Sequence, residues 1–317
     1  MKPLTRNETA AFLAAHDNYV ILTHTRPDGD TVGSTAALCR GLRKLGKTAY
    51  VLENKGISPK YQWLHRGLSV PAVKADSCIV SVDVAAPGML QDEARDLVGR
   101  IELRIDHHGS ATSFTDFELV DPNSAACAEV VYDVLTLLGC PLDVPIAEAI
   151  YVGTSTDTGC FRYANTTAHT FATAAACAQA GARVYELNMD LFETNTLSRL
   201  KMQGWIVDNM KMLRDGKMCI CAIPREVEKA MGVTGDDMDN ISSFPRTVAG
   251  VCLAATLRES DTGTVKLSVR AIPGYDATRV TVPFGGGGHK GAAGATVDGT
   301  MDEAKAAILA AYTEVMG

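Results

Sequence analysis

Four short clusters of aspartate and histidine are the residues of this chain whose types and spacing could do chemistry. Each stands directly after, or close to, an apolar run typical of a buried strand or helix. If the fold brings the clusters together, several carboxylates and imidazoles share one pocket, where the like charges repel one another unless cations neutralise them. The pattern therefore favours a metal site. The clusters are His24-Thr25-Arg26-Pro27-Asp28-Gly29-Asp30, Asp83, Asp106-His107-His108 and Thr156-Asp157-Thr158-Gly159.

Oxygen and imidazole donors suit Mn²⁺, and Mg²⁺, Co²⁺ or Zn²⁺ can also use them. Gly29 allows tight backbone geometry, so that Asp28 and Asp30 can each face a different cation. Two divalent ions bridged by a carboxylate and a water form the usual clamp for attack on phosphorus. An isolated Asp-x-Asp is usually a solvated turn, but that interpretation does not explain four ordered clusters. The clusters therefore indicate two divalent cations and phosphoryl chemistry.

The first half of the chain alternates short, β-branched apolar runs with helical stretches, which predicts a mostly parallel, doubly wound α/β sheet. Ligands of such sheets collect at the carboxyl ends of the strands. His24, Asp83 and Asp106 each stand at or just past such an end, so we expect them to share one edge. The expected strands are 19–23, 48–52, 78–82 and 101–105, and the expected helices are 31–45, 125–138, 144–154 and 167–180.

The second half of the chain has the pattern of a smaller α/β domain. A polar, helical stretch at 186–212 precedes expected strands at 218–223, 249–257 and 265–271. A helix at 225–231, a glycine-rich stretch at 285–294 and a terminal helix at 301–315 complete it. We expect three regions, a catalytic domain over 1–190, a linker helix over 191–215 and a second domain over 216–317.

The composition, with 46% hydrophobic and 21% charged residues, is that of a globular protein. No apolar run approaches the ~20 residues that cross a bilayer, and no signal-peptide pattern opens the chain. The nine cysteines are scattered, as in a reducing compartment, so we expect a cytoplasmic protein without membrane contact. The net charge of −7 does not exclude a nucleic-acid substrate, because bound cations reverse the local field and a short oligonucleotide needs only one positive groove.

In this order the clusters resemble the DHH phosphoesterase family over essentially the whole chain. The resembling residues are His24, Asp28 and Asp30 for the first motif, Asp83 for the second, Asp106-His107-His108 for the triplet that names the family, and Asp157 for the fourth. The resemblance implies one cation on His24, Asp28 and Asp83, and another on Asp30, Asp83, His107 and Asp157. It also implies that Asp106 orients a histidine and that His108 faces the substrate phosphate, where it serves as an acid for the leaving oxygen.

In the second domain, Leu267-Ser268-Val269-Arg270 is followed by the glycine run Gly285-Gly286-Gly287-Gly288-His289. These two motifs resemble the substrate-binding signature of the DHHA1 domain of the same family. A glycine run lets backbone N–H groups approach a phosphate closely, and an arginine adds a bidentate donor. The inorganic pyrophosphatase branch carries a different second domain, which argues against that activity. The resemblance implies substrate-binding roles for Ser268, Arg270, Gly286, Gly287, Gly288 and His289.

The short two-domain form is similar to the oligoribonuclease and 3′-phosphoadenosine-5′-phosphate (pAp) phosphatase type. This similarity implies hydrolysis of very short single-stranded RNA to mononucleotides and of pAp to AMP, with two divalent cations, Mn²⁺ ahead of Mg²⁺ or Co²⁺. A phosphodiesterase for cyclic di-AMP or the linear dinucleotides pApA and pGpG is the alternative. A non-catalytic nucleotide-binding regulator is less favoured, because all six ligands are present. The sequence leaves the oligomeric state open, a homodimer included.

Four other residues have two interpretations each. Arg162 either contacts a substrate phosphate or forms an ordinary salt bridge. Ser124 either presents donors to a phosphate or, as we favour, caps the helix that follows it. Trp63 and Trp205 either stack on bases or, as we favour, pack in a hydrophobic core or between the two domains.

Overall fold

The structure is a computed structural model that describes residues 2–109, 112–260 and 263–315. The chain forms two compact units, Met1–Thr194 (unit 1) and Asn195–Gly317 (unit 2). Among the described residues, no helix combines the length and the apolar character that a membrane span requires.

Unit 1 is organised around a parallel sheet with seven strands among its described residues. The strands are β1 (Lys2–Pro3), β2 (Tyr19–Leu22), β3 (Ala49–Leu52), β4 (Ser69–Val70), β5 (Cys78–Val82), β6 (Ile101–Asp106) and β7 (Phe117–Val120). Their order across the sheet is β1-β7-β6-β5-β2-β3-β4. Strands β2 and β5 are buried along their whole length, which is why they are nearly continuous apolar runs.

The chain leaves β2 toward β3 on one side and later returns to β5 on the other side. The carboxyl ends of β2 and β5 therefore flank a topological switch point, the place where open α/β sheets bind ligands. The predicted residues that follow these two strands meet there.

The helices of unit 1 pack mainly on one face of the sheet. They are α1 (Arg6–Ala15), α2 (Gly29–Lys44), α3 (Cys127–Leu137), α4 (Val144–Asp157), α5 (Ala168–Gln179) and α6 (Val184–Asn188). Apolar residues of α2, α3 and α4 share one core with those of the sheet. A smaller core on the opposite face includes residues of the 3₁₀ segment Asp92–Arg100. Burial on both faces is what a parallel sheet requires.

Unit 2 contains a mixed sheet. Its strands are β8 (Lys211–Leu213), β9 (Met218–Ile223), β10 (Leu253–Glu259), β11 (Val265–Ala271), β12 (Gly287–His289) and β13 (Ala292–Val297). The order is β12-β13-β11-β10-β9-β8, and β9 with β10 is the parallel pair. The helices are α7 (Leu197–Asn209), α8 (Arg225–Met231), α9 (Thr278–Thr281) and α10 (Met301–Val315).

The predicted α/β fold, with a mostly parallel sheet and a second, smaller α/β unit, is confirmed. The linker helix expected over 191–215 is wrong in its extent. Thr196 caps α7 at its start, and the chain after Asn209 extends into β8, which pairs with β9. The strand expected at 249–257 begins later, because Gly250 adopts a left-handed turn conformation with φ +87°.

Candidate metal centre

The predicted aspartates and histidines of unit 1 gather at the carboxyl edge of its sheet. We call this group the acidic centre, defined as His24, Asp28, Asp30, Asp83, His107, His108 and Asp157. Three sets within it each place one potential ligand atom per residue within 4.8 Å of the others. The sets are His24 with Asp28 and Asp83, Asp30 with His107 and Asp157, and Asp83 with His107 and His108. Asp83 belongs to two sets, and so does His107.

Asp30 is held by the start of a helix other than its own. Its Oδ2 accepts a hydrogen bond from the backbone N–H of Cys127 (2.6 Å), and its Oδ1 accepts one from Ala128 (2.9 Å). These are the first residues of α3, whose unpaired N–H groups and dipole favour a carboxylate. The expected cap from Ser124 is therefore wrong, because Ala126 occupies the cap position without a side-chain bond.

Asp28 and Thr31 form the entry to α2. Asp28 is the N-cap residue, and its Oδ1 accepts from the N–H groups of Asp30 and Thr31. The Thr31 hydroxyl donates to Asp83 Oδ2 at 2.5 Å, which links this loop to the end of β5. The sequence analysis missed Thr31, although its position in Asp-Gly-Asp-Thr, three residues after a cap, was a usable signal.

Asp83 follows β5 directly in a left-handed conformation, with φ +60°. This conformation is strained for a residue other than glycine and persists only where its surroundings hold it. Asp83 is 2% exposed, and its Oδ1 has no hydrogen-bond partner. Burial, reinforced by the nearby Asp28 carboxylate, raises the pKa of Asp83 to about 6. A buried carboxylate oxygen without a partner, beside other carboxylates, is the group that a cation would satisfy.

His107 presents Nε2 to the acidic centre. Its Nδ1–H donates to the carbonyl of Ser124 (3.1 Å), which leaves the lone pair on Nε2. That atom lies 3.7 Å from Asp30 Oδ2, 3.7 Å from Asp83 Oδ1 and 3.6 Å from Asp157 Oδ2. Burial lowers the pKa of His107, but Asp30 and Asp83 outweigh it, so the pKa is raised overall. The Ser124 carbonyl is a second contributor that the sequence analysis missed.

Asp106 faces His108 rather than the other carboxylates. Its Oδ1 accepts the Nδ1–H of His108 at 2.7 Å and the backbone N–H of His107 at 2.8 Å. Burial raises the pKa of Asp106, yet its bonds to His108 and His107 outweigh burial and lower it overall. The Asp106 hydrogen bond in turn raises the pKa of His108. Asp106 thus orients the His108 ring and leaves its Nε2 for another partner.

Burial also shifts the pKa values of Asp157, Asp30 and His24. Burial, followed by the fields of Asp30, Asp28 and Asp83, raises the pKa of Asp157 well above its ordinary value. Burial also raises the pKa of Asp30, to about 7, with Asp83 as the next cause. Burial lowers the pKa of His24. The donors are carboxylates and imidazoles, a set that suits Mn²⁺ and similar cations.

Cys127 lies near these carboxylates, but its thiol does not belong to the donor set. Its Sγ donates to the carbonyl of Ile105 at 3.4 Å, and complete burial holds its pKa well above the ordinary value. A protonated thiol is not a metal ligand. The centre therefore offers oxygen and nitrogen donors, and the residues present fit divalent cations.

The residues predicted to bind substrate in unit 2 lie toward the β12 edge of its sheet, on or next to strands β11 and β12. Ser268 pairs with Gly294 on β13, and Gly294 pairs with Gly287 on β12. Arg270 and His289 are aligned in the same way, both opposite Ala292. Gly286 precedes β12, and Gly288 lies within it with φ +138°, where the chain passes close to β13. Register alone brings these residues into adjacent rows.

The structure shows the contacts of the four residues that had two interpretations each. Ser124 Oγ bonds Arg6 and Asp121 rather than capping α3. Arg162 Nε donates to the carbonyl of Gly159 at 2.6 Å. Trp63 and Trp205 are half-buried against hydrophobic clusters, which favours packing over base stacking.

Comparison with known proteins identifies the two units. The DHH family N-terminal domain model matches residues 18–154, and the DHHA1 domain model matches residues 216–317. The chain is 32% identical over 297 residues to the bifunctional oligoribonuclease and PAP phosphatase NrnA of Thermus thermophilus, covering 93% of this chain and 89% of the relative. This chain belongs to the DHH/DHHA1 phosphoesterase family. The family assignment makes it a metal-dependent hydrolase of phosphoester bonds.

Other relatives of this DHH/DHHA1 protein agree. The NrnA of Bacillus subtilis is 25% identical over 295 residues, covering 92% of this chain and 93% of the relative. An exopolyphosphatase-related protein from Bacteroides fragilis has the same fold, with a TM-score of 0.89, 23% identity and coverage of 98% and 96% of the two chains. Exonuclease RecJ bound to manganese shares the fold at a TM-score of 0.54 and 17% identity, with coverage of 98% and 94%.

Proposed function

We propose that this protein hydrolyses very short oligoribonucleotides to mononucleotides and pAp to AMP, with two divalent cations at the acidic centre. The observation that carries the two-cation part is Asp83, whose carboxylate belongs to two ligand sets, one with His24 and Asp28 and one with His107 and His108. A shared carboxylate with an unpartnered buried oxygen is what a bridged pair of ions requires. The substrate part is supported by relatives named as oligoribonuclease and PAP phosphatase along almost their whole length.

The proposed division of ligands is the one that the family resemblance implies. One cation is assigned to His24, Asp28 and Asp83, and the other to Asp30, Asp83, His107 and Asp157. In support, His24, Asp28 and Asp83 form one set of neighbouring ligand atoms, Asp30, His107 and Asp157 form another, and His107 Nε2 lies 3.7 Å from Asp83 Oδ1. When bound, the cations supply a deprotonated water near neutral pH and neutralise charge on the phosphoryl oxygens. Mn²⁺ is our first choice, because the imidazole and carboxylate donors suit it and because a protein of the same fold was solved with manganese.

His108 is proposed to hold the proton that the leaving oxygen receives. Asp106 accepts from Nδ1, so the transferable proton is on Nε2, and the raised pKa keeps that proton available at higher pH than an ordinary histidine. Asp106 acts through His108 and is a positioning residue. In unit 2, Ser268, Arg270 and the Gly286–His289 segment are proposed to hold the substrate.

Turnover measured side by side tests this proposal. The purified protein with Mn²⁺ is given pAp, 5′-phosphorylated di- and trinucleotides of RNA, and cyclic di-AMP, and mononucleotide or phosphate release is followed. We expect turnover of pAp and the short linear RNAs, abolished by chelator, with two Mn²⁺ per chain by elemental analysis. Clear preference for cyclic di-AMP would contradict the substrate assignment. Saturable nucleotide binding without turnover would instead support a regulator, and one Mn²⁺ per chain would contradict the bridged pair.

A further inference from the structure

A buried ion pair lies beside the acidic centre, and the proposed mechanism does not use it. Arg104 on β6 is 1% exposed, and its register partner Glu118 on β7 is 6% exposed. Arg104 Nη2 lies 3.0 Å from Glu118 Oε2. Removing two such charges from water costs about as much as their attraction returns, so stability alone explains such a pair poorly.

Arg104 connects the two loops that carry the central ligands. Its Nη1 donates to the carbonyl of Thr112 at 2.9 Å and to that of Ala85 at 3.3 Å. Ala85 is two residues after Asp83, and Thr112 is four residues after His108. The N–H of Thr112 also donates to the Ala85 carbonyl at 2.8 Å. One guanidinium therefore joins the segment after β5 to the segment after β6.

Glu118 holds the far side of the same junction. Its Oε1 accepts from the N–H of Phe114 at 3.1 Å, and its Oε2 accepts from the hydroxyl of Ser113 at 3.1 Å. The Phe114 ring lies 5.0 Å from the Arg104 guanidinium carbon. Arg104 thus contacts Thr112 and the Phe114 ring, and Glu118 binds Ser113 and Phe114. Together the pair fixes the path of this segment.

We propose that the Arg104–Glu118 pair is a positioning device that sets Asp83 against His107 and His108. Asp83 has a strained conformation that its surroundings must maintain, and the Arg104 contact to Ala85 is within two residues of it. The distances to be kept are those from Asp83 Oδ1 to His107 Nε2 and to His108 Nδ1, 3.7 Å and 3.6 Å. The inference rests on the proposed function, in which Asp83 is shared by both cations.

The test removes both charges together. Arg104→Met alone would leave the Glu118 carboxylate buried and unpaired, and unfolding would obscure the result. The double variant Arg104→Met/Glu118→Gln keeps an acceptor for the Phe114 N–H and leaves no buried charge. The matched control is Arg183→Met/Glu148→Gln, because Glu148 is another buried carboxylate of unit 1 with an arginine partner, 2.6 Å away.

Both double variants are compared with the wild type by five measurements. These are Mn²⁺ affinity from titration calorimetry, the electron paramagnetic resonance signal of bound Mn²⁺, kcat, KM and thermal unfolding. For Arg104→Met/Glu118→Gln we expect Mn²⁺ affinity and kcat to fall about 10- to 100-fold, as for loss of other groups that orient ligands. The signal of coupled Mn²⁺ ions should weaken, while KM stays near that of the wild type. The control variant Arg183→Met/Glu148→Gln should keep the wild-type Mn²⁺ affinity, coupled-Mn²⁺ signal, kcat and KM.

Wild-type Mn²⁺ affinity and kcat in a folded Arg104→Met/Glu118→Gln would overturn the proposal. If that variant does not fold, Arg104→Lys decides. Lysine keeps a charge for Glu118 but lacks the planar fork that reaches both carbonyls. We expect Arg104→Lys to bind Mn²⁺ more weakly than the wild type, and unchanged binding would refute the positioning role. A wild type that binds Mn²⁺ but hydrolyses none of the phosphoesters would contradict the proposed function instead, and the Mn²⁺ measurements would still test the pair.

Discussion

Replacing Thr31 with valine removes one hydroxyl and leaves the side-chain volume almost unchanged. That hydroxyl donates to Asp83 Oδ2 at 2.5 Å, and Asp83 Oδ1 has no partner, so the substitution leaves the buried carboxylate without its side-chain hydrogen bond. A hydrogen bond to a charged group contributes about 1.5–3 kcal/mol. Since 1.4 kcal/mol corresponds to tenfold, Mn²⁺ affinity should fall roughly 10- to 150-fold. Calorimetric Mn²⁺ titration measures this fall directly.

Two variants make the Thr31 experiment specific. Thr31→Ser keeps the hydroxyl and should stay near the wild type. Thr35→Val removes a buried hydroxyl one turn later in α2, where it donates to the Thr31 carbonyl and does not touch a member of the acidic centre. It should lower thermal stability without changing Mn²⁺ affinity. Equal Mn²⁺ affinity in Thr31→Val and Thr35→Val would refute the reasoning that Thr31 supports Asp83.

Three other predictions follow from the same centre. The folded-state pKa values of Asp30 and Asp83, about 7 and about 6, lie above the ordinary carboxyl value, so ionising these groups costs folding free energy. Their contribution to the stability of the metal-free protein should decline as pH rises from about 4 to about 7, whereas the stabilisation by bound Mn²⁺ should grow over the same range. Thermal unfolding measured with chelator and with Mn²⁺, each at pH 5.5 and 7.5, checks both trends. Stabilisation by Mn²⁺ that does not change with pH would contradict the raised pKa values. His108→Ala should lower kcat about 10²- to 10⁴-fold with metal content unchanged, and loss of both metals by elemental analysis would contradict a proton-donating role. Gly153→Ala should weaken Mn²⁺ binding, because the added Cβ would lie 2.8 Å from Asp30 Oδ1, whereas Gly204→Ala, with nothing within 4 Å, should leave the calorimetric Mn²⁺ affinity unchanged.

The residues that gather at the acidic centre were readable from the sequence because each stands at a recognisable strand or helix end. His24 and Asp83 follow apolar runs whose strand character depends on local composition, and His107 follows the strand that ends at Asp106. The edge at which parallel strands bring their carboxyl ends together is a general property of the fold class. Their proximity was therefore predictable, although their individual roles remain proposals.

The groups that support the centre were not predictable. Asp30 binds the start of α3, which lies 97 residues away in the sequence. Arg104 is a charged residue within an otherwise mostly apolar strand, and nothing near it in the sequence indicates its role. No local pattern reveals a hydrogen bond from a helix that lies elsewhere in the chain. The expectation that Ser124 caps α3 failed for this reason, because the N–H groups at the start of α3 donate to the distant Asp30 carboxylate.

The sequence by itself determined the fold class, the kind of chemistry and the donor types, since these depend on hydrophobic periodicity and on residues within a few positions of one another. Only the tertiary structure decided which oxygen of Asp83 is held by Thr31 and which is left without a partner, which nitrogen of His107 faces the carboxylates, and how Arg104 joins two loops. These are properties of distance and direction between segments far apart in the chain. They arise when the strands pair and their carboxyl ends come together at one edge of the sheet.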